Sequence, residues 1–536
     1  MKKLKLVCVA IAMAGAAPTF AGGLLTNTNQ HVAFNRMMSR EASIGIDGVY
    51  YNPAGVVFMG EGHHLAINWQ LAYQTRTINN DYSLFTNNVN NPITPRDFKG
   101  KAFAPVIPSF QYAYNKGKWS FQANFSLTGG GGKCTFDDGL GSFEKIVSET
   151  AIAACGLAGI VDQTLGNKLG QQGMEMFTSD LAFGKTGKYS FNSYMHGRQY
   201  YYGLSAGAAY KFCDNFSAFL GVRGVYALTN YYGYVENINV GNMPLYKVLD
   251  PTKENAANIE LSCDQTGVGF TPIIGVDYKT GRWNFSAKYE FKTRIRLKNK
   301  SVNQTPSIGN LPANLANQMT GILTARYQQA GLPLEQAKQQ AENTTNAVLN
   351  DPTVGATMMG LKTQFDQKLN KAIGEYEDGK KIAGDIPGYL ALGIGYSPVD
   401  AVRVNVGFHW FDDKNATSYN NRNKELKRGT LEYNAGVEVD VNKKITLSTG
   451  WQNTNYGLSD EYMDDKSFVV SSNSAAIGGV YHINKKMDLN IAYFHTFYQH
   501  KKTSETVQLA ADKSIVYNSD YTRNNNVFAV GLDINF

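Results

Sequence analysis

The sequence predicts an all-β fold: a 14-stranded antiparallel transmembrane β-barrel with an N-terminal plug in its lumen and helical extracellular loops. Three observations predict it. The chain opens with a secretory leader. From residue 62 onward, apolar and polar residues alternate with period two in segments of about 10 to 20 residues, as they do when one strand face meets lipid and the other a lumen. The connections between these segments are by turns short and long, as periplasmic turns and outer loops are.

The leader occupies residues 1–21. Lys2, Lys3 and Lys5 precede an apolar run over 6–17, and small residues mark a cleavage site near Ala21. Cys8 lies too early to carry a lipid. No later run of 18 apolar residues occurs, so no transmembrane helix is expected. The formal charge is +7, of which the three leader lysines account for three, and the remaining +4 is no nucleic-acid footprint. Beyond the leader stand Cys134, Cys155, Cys213 and Cys263. An exported protein can oxidise them, and Cys134–Cys155 is the favoured pair because both fall in one outer loop.

Residues 22–60 are small, Gly-rich and of mixed polarity, and they contain Asn52-Pro53-Ala54. So short a piece cannot bury a core of its own. It must dock into something larger, and the lumen of the barrel that follows (61–536) is the obvious host.

Along 62–77, Leu65, Ile67, Trp69, Leu71 and Tyr73 oppose Ala66, Asn68, Gln70, Gln74 and Arg76. Similar alternation runs through 119–128 and 200–212, and the chain ends in Phe528, Val530, Leu532, Ile534 and Phe536. Short Asn-, Gly-, Asp- or Pro-containing turns fall at 115–118, 213–215, 279–282, 398–400, 442–444 and 484–486. They pair twelve strands, and a first and a closing strand complete the set: 62–77, 102–115, 118–130, 198–212, 216–238, 259–278, 283–300, 386–397, 402–416, 429–441, 445–457, 469–483, 487–500 and 521–536.

Two outer loops are unusually long, 133–197 and 301–385, and long loops tend to be functional or disordered. The first holds a helix-like run over 143–169. In the second, Leu315, Met319, Ile322 and Leu323 recur at helical spacing, Pro333 starts another helix, and an amphipathic stretch reaches about Ile373. These helices either protect the barrel rim or collect an apolar ligand.

Gly129, Gly130, Gly131 and Gly132 end the third strand, and Pro105 and Pro108 remove two ladder donors from its neighbour. The cluster predicts irregular wall, whether a gap or a flexible exit into the loop. Arg223, Lys288, Glu290, Lys292 and Arg403 fall on the lumen parity of their strands. Of these, Arg223, Lys288 and Arg403 are candidate contacts for a ligand carboxylate, although lumen charges more commonly pair with each other or with the plug. His63 and His64 are adjacent and point to opposite faces, which suits no common metal ion.

Together the N-terminal segment with Asn52-Pro53-Ala54, the fourteen strands and the Gly-broken third strand resemble the FadL/TodX family of outer-membrane transporters for hydrophobic compounds. Residues 267–291 and 385–398 also look like strand segments of that family. The resemblance spans the chain after the leader, although the loops are longer and match poorly. It implies passive transport of long-chain fatty acids or other hydrophobic molecules, without enzyme activity, cofactor or metal. A ligand is first caught among the outer loops and then held in an apolar lumen pocket. Rearrangement of the mobile N-terminus (Gly22, Gly23, Leu24, Leu25 and on to Asn29) releases it sideways at 129–132, while Asn52, Pro53 and Ala54 hold the plug. The implied setting is a monomer in the bacterial outer membrane, among lipid and lipopolysaccharide. The rival readings are a haem receptor using His31, His63 or His64 as axial ligands, and an aqueous porin. An esterase is disfavoured, since no Gly-x-Ser-x-Gly elbow occurs.

Overall fold

A computed structural model describes residues 25–27, 29–171, 174–180, 182–306, 310–510 and 513–536. The leader and Gly22, Gly23 and Leu24 lie outside the described residues. The barrel has 14 antiparallel strands. They are β1 (Gly62–Asp81), β2 (Arg96–Lys116), β3 (Trp119–Phe136), β4 (Tyr189–Cys213), β5 (Phe216–Val240), β6 (Ile259–Thr280), β7 (Trp283–Glu290 and Arg296–Gln304), β8 (Lys381–Ala383 and Tyr389–Val399), β9 (Val402–Phe411), β10 (Thr430–Asn442), β11 (Ile445–Asn455), β12 (Ser472–Asn484), β13 (Met487–Tyr498 and Lys501–Ala510) and β14 (Lys513–Asn535). Each strand pairs with its sequence neighbours, and β1 closes the barrel by pairing with both β2 and β14, Leu65 opposite Tyr112 on one side and Ile534 on the other.

Side chains divide as the alternation requires. Ile67, Trp69, Phe121, Leu204, Leu220 and Phe270 stand exposed on the outside, whereas Asn68, Gln70, Gln111, Asn124 and Thr271 are buried inside. A closed barrel has no free edge strand, so an apolar exterior can face hydrocarbon. This is a barrel of the bacterial outer membrane.

Several strands run past the expected ends. The strands β1, β2, β3, β4 and β14 continue outward as hairpin arms to Asp81, Arg96, Phe136, Tyr189 and Lys513. There both faces meet water or loop, and the alternation fades. β7 is broken rather than continuous. Thr293 folds over Gly269 and Ile295 over Gly267, where a Cβ would lie 2.6 and 2.7 Å, respectively, from their methyl groups.

The outer loops are helical, with α3 (Gly141–Leu169), the single turn α4 (Tyr246–Leu249), α5 (Leu311–Gln329), α6 (Leu334–Leu349) and α7 (Pro352–Ile373); Pro333 is the N-cap of α6. By length and composition α3 could cross a membrane, but it lies over the barrel mouth against β4, β5, α6 and α7. Charged residues such as Glu144, Lys145, Glu149 and Asp162 interrupt its apolar run, which is why runs alone miss it. The Cys134–Cys155 disulfide does not form, and all four described cysteines are free. Cys134 is held opposite Ala102 in the wall, while midway along α3 the Cys155 thiol donates to the Phe183 carbonyl at 3.3 Å.

Candidate functional site

The N-terminal segment crosses the lumen as α1 (Val32–Met37), which lies against β11 to β14, and α2 (Gly48–Tyr51), which touches β2 and β3. Barrel side chains take up its backbone. Gln122 donates to the Pro53 carbonyl at 2.7 Å, Ser217 to Ala54 at 2.7 Å, Asn115 to Val56 at 2.9 Å and Lys288 to Tyr50 at 2.7 Å. Asn52 donates to Asp277 at 2.6 Å, and its own amide oxygen accepts from Gly55 N at 3.2 Å. So Asn52, Pro53 and Ala54 sit where three strands grip the segment.

Buried charge completes the grip. Arg36 pairs with Glu438, and Arg40 holds Asp47 at 2.7 Å. Burial pushes the Asp47 carboxyl up, but the Arg40 guanidinium outweighs it and keeps the group below its ordinary range. His409 lies between Glu41 of the segment at 2.7 Å and Glu432 of β10 at 2.8 Å.

The wall opens next to this segment. Phe103 pairs with Lys133 and Ser109 with Ser126, but residues 104–108 of β2 and 127–132 of β3 share no ladder. Each strand stays with its other neighbour, β2 with β1 and β3 with β4. Pro105 and Pro108 have no N–H to offer. Gly129 and Gly130 lie at bulges toward β4, and Gly130 has φ +77°, with no room for a Cβ, which would fall 2.3 Å from the Gln199 carbonyl oxygen. The result is an unladdered seam. A Cβ on Gly132 would sit 3.5 Å from that of Ala104 across it.

Behind the seam lies a lumen cavity of about 250 Å³. Its lining includes Leu25 and Gln30 of the N-terminal segment, Ile107, Leu127, Gly129, Gly130 and Gly132 of the seam, and Phe494 of β13 and Val527 of β14. Two guanidiniums enter it. Arg76 and Arg523 stand directly opposite each other across β1 and β14, a repulsive arrangement in isolation. Both donate to the side-chain Oε1 of Gln74, at 3.2 and 2.9 Å, and Arg523 lies 5.0 Å over the Tyr498 ring. Among the described residues neither has an ion pair, and the Arg523 Nε is buried without a hydrogen-bond partner.

The cations singled out from sequence lie elsewhere and are neutralised. Arg223 forms a two-pronged pair with Glu290 at 2.7 and 2.8 Å, and Lys288 donates to the same carboxylate at 2.9 Å. Arg403 reaches Glu438 and Asp440, each at 2.7 Å. None of the three lines this cavity. Arg76 and Arg523 were findable only through the closing register of β1 on β14, which places two lumen-parity residues side by side.

The histidines of the haem reading are also engaged. His31 caps α1 through Ala33 N, His63 stacks on Tyr114 and Phe536, and His64 contacts Asn535 and the Gly60 carbonyl.

A second cavity, of about 110 Å³, lies among the outer helices. Its walls are almost wholly apolar, with Ile146, Leu157 and Val161 of α3 facing Leu311 and Leu315 of α5.

Compared with known proteins, the sequence matches no family model and no curated protein. Among solved structures, a Pseudomonas aeruginosa FadL homologue aligns over 96% of this chain and 100% of its own, with a TM-score of 0.57 at 13% identity. The chain has the FadL fold. Looser matches to this FadL-like barrel include the Ralstonia pickettii toluene transporter TbuX (TM-score 0.47, 13% identity, 98% and 99% covered) and the Pseudomonas putida toluene transporter TodX (0.48, 11%, 92% and 94%).

Proposed function

We propose that this FadL-like chain carries hydrophobic molecules, long-chain fatty acids foremost, passively into the outer membrane. The observation that carries the reading is the continuity of the lumen cavity with the seam: residues of both seam strands line the cavity, while the plug fills the axial way down. A ligand held there has a sideways path. The solved structures of like fold include proteins described as toluene transporters, in keeping with a non-enzymatic transporter of hydrophobic compounds.

The steps follow from the chemistry of each place. The cavity between α3 and α5 removes an alkyl chain from water, at roughly 0.8 kcal/mol per methylene, and so suits first capture. In the lumen cavity, Arg76 and Arg523 receive the carboxylate, which relieves their mutual repulsion, while the chain lies toward Leu25 and the seam. Arg223, Lys288 and Arg403, already paired, instead hold plug and wall together. Rearrangement of the segment before Asn29 then frees the seam at 129–132, and the ligand leaves between β2 and β3 as a monomeric protein delivers it to lipid.

Uptake of radiolabelled oleate by cells tests this. Gly132→Leu places a side chain against Ala104 and should abolish uptake at normal surface expression. Uptake at the unaltered rate would contradict the lateral path.

A further inference from the structure

One residue spans the seam, and neither the turns nor the motifs of the sequence mark it. Gln30 follows the start of the N-terminal segment and is buried. Its backbone carbonyl accepts from Ser109 Oγ at 2.7 Å and from Gln111 Nε2 at 2.8 Å, both on β2. Its side-chain amide donates to the Leu127 carbonyl of β3 at 2.8 Å. The first contacts are on the strand edge where pairing stops, since Ser109 is the last residue in register with β3 before the seam, and Leu127 is the first to leave it. The Gln30 N–H donates to Tyr51 Oη at 2.8 Å, which ties the same residue to α2 of the plug.

We propose that Gln30 is the latch of the lateral opening: through one residue it joins β2 to β3 where their ladder is missing, and joins both to the plug. The proposal rests on the lateral-exit reading above and adds what controls the exit. A carbonyl such as that of Leu127, left by its strand partner, must be satisfied by something. While Gln30 supplies the donor, the seam is closed by three hydrogen bonds in place of a ladder. Gln30 also lines the cavity, beside Leu25 and Asn29. Ligand that pushes this stretch aside therefore withdraws the amide from Leu127 and the carbonyl from Ser109 together. Filling the cavity and opening the seam become one event. Gln30 is a positioning residue; it need not touch the ligand's head group.

The test is the rate at which the full-length protein in proteoliposomes, loaded with oleate, releases it to the surrounding bilayer, read beside the equilibrium Kd. Gln30→Met keeps the bulk and removes the amide; Ser109→Ala loosens the β2 end and guards against a Gln30 variant that fails to fold. Each should speed release roughly fivefold, the effect of losing one net hydrogen bond from the closed form, with Kd little changed because entry quickens equally. The pair combined should be no faster than the faster single variant, since a bridge broken at one end is already open. Folded variants that release at the wild-type rate, with Gly132→Leu blocking release, would overturn the latch and leave the lateral exit standing. If Gly132→Leu also releases normally, the lateral exit fails and the latch with it.

Discussion

At the scale of single residues, the facing pair Arg76 and Arg523 carries the chemistry of the cavity, and the two sit close enough to share one acceptor on Gln74. Hydrogen bonds to an ionised group are worth about 1.5–3 kcal/mol. Arg523→Ala should thus weaken oleate binding on the order of tenfold to a hundredfold while leaving toluene binding within about twofold, as calorimetry with both ligands would show. Equal loss for both would mean that the arginine shapes the cavity rather than reading charge. Asn52 poses a different residue-scale question, because it satisfies Asp277, the Ser43 carbonyl and Gly55 N at once. Asn52→Ala leaves a buried carboxylate with Asn284 as its remaining partner. A loss of about 1–3 kcal/mol follows, to be seen as faster hydrogen exchange across residues 43–58 with the barrel strands unchanged. The Arg40–Asp47 pair adds a pH signature. Because Asp47 titrates below its ordinary value, its contribution is complete above that value and disappears as the pH falls further, so acid should loosen the plug before the barrel.

At the scale of elements, the outer helices act as a lid with its own acid–base behaviour. Glu375, just after α7, is buried, with no hydrogen-bond partner for either carboxylate oxygen among the described residues, and burial pushes it up to about 7. A carboxyl raised in the folded form favours the lid while protonated, so lid stability declines as pH rises from the ordinary carboxyl range through about 7. Limited proteolysis within 305–380 should therefore quicken between pH ~6 and ~8, and Glu375→Gln should flatten that dependence. Unchanged cleavage of the wild type over that range would refute it. These elements also show how far sequence reaches. Strands such as β1 were legible because Ile67, Trp69 and Tyr73 face lipid while Asn68 and Gln70 face the lumen, a difference in solvent that alternation records. The seam was legible too, since Pro105, Pro108 and the glycines act on their own backbone. The break in β7 was not, because Thr293 and Ile295 are good strand formers whose inward fold depends on glycines across the sheet. Nor were Arg76 and Arg523, whose pairing exists only once the first and last strands meet.

At the scale of the whole molecule, three parts make one object: a closed barrel, a plug that crosses its lumen, and a wall that lacks a ladder beside the cavity. A barrel alone would be an aqueous pore, and a plug alone a dead end. In the proposed function the seam makes the cavity a passage that never exposes an apolar ligand to the periplasm. In planar bilayers the protein should conduct almost no ions, since the lumen is crossed by buried pairs such as Arg36–Glu438 and His409–Glu41. Steady porin-like current would contradict a stable plug. The most direct test of the central claim is a crystal structure with a fatty acid brominated at its terminal carbon, the bromine located by anomalous scattering. The carboxylate is expected against Arg76 and Arg523 and the bromine beside Gly132 and Ala104, at the seam. A bromine found only among α3 and α5, or on the plug's periplasmic side, would contradict it.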